Sequence, residues 1–191
     1  MDADGLIFAC ATTAEERIAK RAGLATARVG VRASGGVPEG RVVSFGLAGA
    51  LHEGLRVGDV LDATRVVDAA GATLWEGPQL GVPGAYPAVM LASGSLISDP
   101  RERRRLHEAT GADSVDMESG VLAASGRLAG VVRVVSDGVE STIDGVDSTV
   151  HADGRTNVPA LLRWVATRRV DAVRSMRDAV AALRQLERSV E

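Results

Sequence analysis

Apolar positions along the chain alternate between short saturated runs and stretches with helical spacing. Residues 5–11 (GLIFACA) form a saturated run, the signature of a buried strand, and Thr12 or Thr13 can cap a helix starting near Ala14. Glu15 and Glu16 then fall in a first turn, where the helix dipole favours acids. Residues 29–31 suit a short strand before a flexible Ser-Gly-Gly-Val-Pro connection at 34–38. Residues 41–45 form a second strong strand running into the small residues Gly46, Leu47, Ala48 and Gly49. A strand over 57–68 is followed by a turn at 71–73 and a returning segment at 74–76, a hairpin pattern. Residues 79–87 carry two glycines and two prolines and read as loop. A strand at 89–93 precedes a charged helix over 99–109, opened by Asp99 as cap and Pro100 at the first helical position. A helix begins near Met117 and runs to about Gly126, and the valine-rich run 131–135 is the clearest strand of all. Residues 139–155 are polar and glycine-rich. The tail from Asn157 has helical spacing at Leu161, Leu162, Val165, Val173, Met176, Val180, Leu183 and Leu186, read as two helices broken near 167–170. Strands alternating with helices predict one α/β domain over 1–191: three layers, with a central mixed, largely parallel sheet flanked by helices.

Composition narrows the function. Hydrophobic residues make up 46% of the 191 positions and aromatic ones only 3%, so the core must be built from Ala, Val and Leu. A net charge of −3 and so few rings for base stacking argue against nucleic-acid binding. Cys10 is the single cysteine, which excludes an internal disulfide and a multi-cysteine metal site; its apolar neighbours predict a buried, unreactive thiol. No apolar run approaches the ~20 residues of a membrane span, and the acidic start lacks a basic leader, so a cytoplasmic location is expected.

Three local patterns carry candidate chemistry. Asp116 and Glu118 bracket Met117 where an apolar strand gives way to a helix, a junction that suits either ligand contact or charging of the first helical turn. The small residues 46–49 let backbone amides approach an anion, although they match neither a Walker motif nor a dinucleotide fingerprint. Asp137 stands at the end of the 131–135 strand, where open α/β sheets place ligand chemistry. Arg101, Arg103, Arg104 and Arg105 could form an anion site, but with Glu102 and Glu108 beside them a solvated face is the expected reading.

Taken in register, three segments resemble the purine nucleoside phosphorylase and nucleosidase superfamily. They are SFGLAGAL at 44–51 followed by LRVGDV at 55–60, SVDMES at 114–119, and VRVVSD at 132–137. Within it the sequence is similar to the hopanoid-associated phosphorylases at 15–19, 44–46 and 116–119, and again where Asp153, Gly154 and Arg155 precede VPALL at 158–162. The chain is short for the superfamily, with the deficit between Val31 and Arg41.

The resemblance implies cleavage of the N-glycosidic bond of an adenosine-type nucleoside, with release of free base. It assigns Asp137 to the purine N7 side, as an acid whose pKa burial must raise. Glu118 would accept from the ribose hydroxyls and stabilise the cationic sugar, with Met117 packed on the sugar face. Ser95, Leu96, Ile97 and Ser136 would surround the base, Leu96 replacing an aromatic stacker. The glutamate that positions attacking water in nucleosidases is matched to Glu16, with Glu15 as the alternative. Gly46, Leu47, Ala48 and Gly49 form the phosphate or water site, assisted by Arg133 or Arg155. Phosphorolysis is the expected reaction, inorganic phosphate the co-substrate, with no further cofactor and no metal; hydrolysis by water and a non-catalytic nucleoside-binding module are the alternatives. A homo-oligomer is expected, with Trp75 and Tyr86 available for an interface.

Overall fold

The computed structural model describes residues 4–141, 151, 153–154, 184–185 and 187–189. The predicted break and helices between 157 and 183, and Arg155, lie outside the described residues. Within residues 4–141, eight strands and three helices follow one another as β1 Leu6–Cys10, α1 Thr13–Arg21, β2 Thr26–Arg28, β3 Arg41–Ala50, β4 Val60–Val67, β5 Thr73–Glu76, β6 Tyr86–Ala92, α2 Pro100–Thr110, β7 Ser114–Asp116, α3 Ser119–Ala124 and β8 Leu128–Asp137, with a 3-10 turn at Val31–Ala33.

The sheet is mixed, as predicted. The pairs β1–β2, β1–β3, β3–β8, β4–β6 and β6–β7 are parallel; β3–β7, β4–β5 and β4–β8 are antiparallel. It is also closed. β8 pairs with β3 on one side and β4 on the other, while β3, β7, β6 and β4 are joined in order, completing a ring of five strands. Closure explains why β8 reads as a saturated run: Val131, Val132, Val134 and Val135 are all fully buried. Val131 and Val135 pack with Val42, Leu61 and Leu122, whereas Val132 and Val134 pack with Phe8, Phe45 and Ile18. Each such valine contributes about 1.5–3 kcal/mol of burial. Phe8 and Phe45 meet edge to face at 5.6 Å, and Cys10 is buried beside them, where desolvation pushes its thiol up and leaves it unreactive.

Local rules account for the helices. Thr12 caps α1 by accepting from Glu15 N, and Glu15 reaches back to Thr12 N, a complete capping box. Asp99 caps α2 by accepting from Arg101 N, Pro100 follows, and Gly111 ends the helix at φ +67. The predicted strand at 29–31 is displaced to Thr26–Arg28, because Gly30 at φ +75 turns the chain into the 3-10 turn. The small residues 46–49 are not a turn. They continue β3 to Ala50, paired along β8, because that partner offers a full ladder. Among the described residues, no helix is long and apolar enough to cross a membrane.

Candidate functional site

The two β3 glycines decide where charged side chains can lie. A Cβ on Gly46 would overlap the Glu15 carboxylate and stand 2.7 Å from Arg133 Nη1; a Cβ on Gly49 would stand 2.9 Å from Asp137 Oδ2 and 3.4 Å from Arg103 Nη1. β3 thus lacks side chains at the points where two buried acid–guanidinium groups cross it, a use of glycine for close approach rather than for a turn.

The first group centres on Arg133, on β8 and fully buried. Its Nη2 donates to Ser44 Oγ at 2.6 Å and to Glu118 Oε2 at 3.3 Å, and lies 2.7 Å from Asp116 Oδ2. Burial opposes its charge, but Asp116, Glu118 and Glu15 more than offset that and raise its pKa above the ordinary range. Asp116 is tied to the start of α3: its Oδ1 accepts from Ser119 N and Ser119 Oγ. Glu118 accepts from Arg32 N through Oε1 at 3.0 Å. Arg32 and Ala33 hold left-handed backbone, at φ +57 and +51, a conformation that costs about 1–3 kcal/mol per non-glycine residue and that here aims an amide at the site. The short 31–41 segment therefore reaches the site directly.

Burial pushes the Glu118 carboxyl up to about 7; Arg133 opposes the rise, while Asp116 and Glu15 add to it. A folded pKa above the ordinary 4.5 means that the folded state holds the proton more tightly. The corresponding stability is fully present below pH 4.5 and lost as pH rises through about 7. Glu118→Gln should therefore flatten the stability–pH profile across that window. Urea unfolding of both proteins at pH 5 and pH 8 reads this directly, and equal slopes would show that Glu118 does not titrate in the folded chain.

Of the two first-turn acids, Glu15 is the buried one. Its Oε2 accepts from Thr12 N at 2.7 Å and Thr12 Oγ1 at 2.9 Å, and its Oε1 from Leu47 N at 3.0 Å. Glu16 is half-buried and pairs with Lys20 at 2.7 Å, one turn along α1. The expectation that Glu16 approaches the site is corrected: the capping box turns Glu15 inward, and Glu15 shares the core side of α1 with Ile18 and Ala19.

The second group joins Asp137, at the end of β8, to Arg103 of α2. Arg103 Nη2 lies 2.5 Å from Asp137 Oδ2, and Asp137 Oδ1 accepts from Ser136 Oγ at 2.7 Å. Arg103 also donates to Ile97 O, Ala50 O and Gly138 O, so it knits four segments together. The reading of this arginine run as a solvated face fails at Arg103, which is fully buried with Leu106 three residues on; Arg104 and Arg105 do follow it, pairing with Glu53 and Glu102. The apolar Leu106 marks the buried face of α2, a signal that pointed to Arg103.

Both groups border one cleft. Its wall contains Leu47, Ala48, Gly49, Ser95, Leu96, Ile97, Met117, Glu118, Ser136 and Asp137 from the predicted set, together with Arg103, Val115 and Asp116. Glu15, Arg133 and Gly46 are not in the wall; Glu15 and Arg133 touch it through Leu47 N and Glu118.

The chain matches no protein-family model, and none of the curated proteins matches its sequence. Its fold is similar to that of solved nucleosidases. A 5′-methylthioadenosine/S-adenosyl homocysteine nucleosidase from Helicobacter pylori is 14% identical over 100% of this chain and 99% of its own, with a TM-score of 0.59. Futalosine hydrolase from the same organism is 14% identical over 92% and 96%, with a TM-score of 0.54. A 5′-methylthioadenosine/S-adenosylhomocysteine nucleosidase from S. pneumoniae is 12% identical over 97% and 99%, with a TM-score of 0.55. At such identities the likeness is one of fold, and it is the fold that the sequence resemblance implied.

Proposed function

We propose that this protein is a purine nucleosidase, using water to cleave the N-glycosidic bond of an adenosine-type nucleoside and release free adenine. The observation that carries the reading is the convergence of Asp137 and Glu118 on one cleft, with Ser95, Leu96, Ile97 and Met117 in the same wall. Glu118 accepts from the ribose hydroxyls and stabilises the positive charge that develops on the sugar. Asp137, its carboxyl held in place by Arg103 and Ser136, faces the departing purine and guides the proton that the base takes up on leaving. Glu15, backed by Arg133, orients the attacking water.

Water is preferred to phosphate for an electrostatic reason. The Leu47 N–H, at the centre of the segment expected to cradle an anion, is already bonded to the Glu15 carboxylate. A phosphate there would meet a fixed negative charge, and the other amides of 46–49 belong to a strand rather than an anion-binding turn. The named neighbours, two nucleosidases and a hydrolase, support the same choice. The finer assignment, to the hopanoid-associated branch, rests on the sequence likeness at 15–19, 44–46 and 116–119. A homo-oligomer completes the proposal, with Leu74 and Tyr86 exposed in the region expected to form its interface.

Incubation with adenosine, 5′-methylthioadenosine and S-adenosylhomocysteine, with and without phosphate, tests the reading. Adenine and free sugar should appear at the same rate in both conditions. Release that requires phosphate would return the assignment to phosphorolysis, and nucleoside binding without turnover would make this chain a binding module.

A further inference from the structure

Away from the cleft, His52, His107 and Asp113 form a second cluster of metal-ligand type. Each offers a donor atom within 4.8 Å of the other two, and all three residues are half-buried. His52 follows β3, His107 lies one turn beyond Arg103 on α2, and Asp113 immediately precedes β7. His52 Nε2 stands 3.2 Å from Asp113 Oδ1, and the two imidazoles stack with centroids 4.4 Å apart. We propose that this cluster binds a divalent transition metal of the zinc class, a site that neither the sequence reading nor the proposed reaction calls for.

The surroundings are those of a supported ligand set. His107 Nδ1 donates to Ala112 O at 2.7 Å, which leaves Nε2 as its lone-pair nitrogen and fixes the ring. A backbone carbonyl on the far nitrogen is the usual second support of a metal-bound histidine. Asp113 is fixed in the same way, its Oδ2 accepting from Val89 N at 2.8 Å while Oδ1 turns to His52. Two imidazoles and a carboxylate suit Zn²⁺, Ni²⁺ or Cu²⁺ rather than Ca²⁺ or Mg²⁺, which prefer oxygen. Ligand atoms at ~2.1 Å around a tetrahedral Zn²⁺ stand ~3.4 Å apart. The His52–Asp113 pair already has that spacing, and His107 closes the remainder by a small side-chain movement.

One hydrogen bond must be exchanged on loading. His52 Nδ1 accepts from Gly54 N at 3.0 Å, so its Nε2 carries the proton directed at Asp113. Metal at Nε2 displaces that proton, Nδ1 takes one from solvent, and the exposed Gly54 amide turns to water. The ion would tie the exit of β3, the body of α2 and the entry to β7, which also carry Gly49, Arg103 and Asp116. Its role is therefore to brace the cleft rather than to react.

Calorimetric titration of the metal-free full-length protein with Zn²⁺ tests the proposal. One equivalent should bind saturably, and His52→Gln and His107→Gln should each weaken it by more than the ~10–100-fold typical of losing an outer-shell partner. His151→Gln, at an exposed histidine outside the cluster, should bind as the parent does. In the unmodified protein, Zn²⁺ should also protect His52 and His107 from carbethoxylation, a readout independent of variant folding. Absence of saturable binding, binding that survives both substitutions, or failure to protect those two rings would overturn the site.

Discussion

Arg133→Met should destabilise the folded chain by about 3–5 kcal/mol near pH 8, the loss expected when one partner is removed from a buried ionic cluster. Methionine can fill the space of the arginine stem but supplies no charge. Asp116 and Glu118, both buried and both in contact with Arg133, would lose their cation, and the buried Glu15 would lose its interaction with it. For a domain of this size the loss corresponds to a fall in Tm of roughly 10 °C. Arg133→Lys should fall between the two, because one ammonium cannot reproduce the fork that serves Ser44, Asp116, Glu118 and Leu47 O together.

The pH dependence separates this cause from simple loss of packing. Glu118 already holds its proton up to about pH 7, and removing the guanidinium, which opposes that rise, pushes its carboxyl higher still. Below that pH Glu118 is neutral with or without the arginine, so the missing cation matters little to it. The deficit should open as pH rises through about 7, where Glu118 of the parent gives up its proton and Glu118 of the variant still holds it. Urea unfolding at pH 5 and pH 8 measures it; a deficit that does not grow with pH would mean that Arg133 acts through shape alone.

How far the sequence foretold this arrangement depends on the kind of contact. β8 and the helix α2 were readable because their signals are local: a saturated valine run, and an Asp-Pro start with a glycine stop. The closing of the sheet was not readable. A strand buried on both faces declares its burial but not its partners, and the pairing of β8 with β4 joins residues some seventy positions apart. Leu47, Ala48, Gly49, Ser95, Leu96, Ile97, Met117, Glu118, Ser136 and Asp137 do meet at one cleft, because each stands at or beside a strand end that the register brings to the same side. The misread residues were charged ones whose direction depends on helical phase. Glu15 was readable in principle, since a Thr-x-x-Glu capping box assigns the inward acid, and Arg103 was readable from its spacing to Leu106. The left-handed turn at Arg32 and Ala33 had no such signal, because neither residue type favours it.

Glu15→Gln should reduce adenine release by about 10²–10⁴-fold, the range for loss of a positioned general base, while Glu16→Gln should leave it within about twofold. The pair is informative because both positions lie in the first turn of α1 and both substitutions remove one negative charge. Glutamine at position 15 retains the capping box, its amide oxygen accepting from Thr12 N, so α1 keeps its start. At most it forfeits the bond from Leu47 N, on the order of 1 kcal/mol. Removing a carboxylate from a cluster that holds Glu15, Asp116 and Glu118 around Arg133 also relieves repulsion, so stability should change little. Loss of the carboxylate thus falls on the rate rather than on the fold, and it should lower kcat more than it raises KM, because Glu15 is proposed to act on the water and is not among the residues that would grip the nucleoside. Equal effects of the two substitutions would remove Glu15 from the reaction. A loss confined to Glu16→Gln would restore Glu16, now paired with Lys20, as the group that handles water.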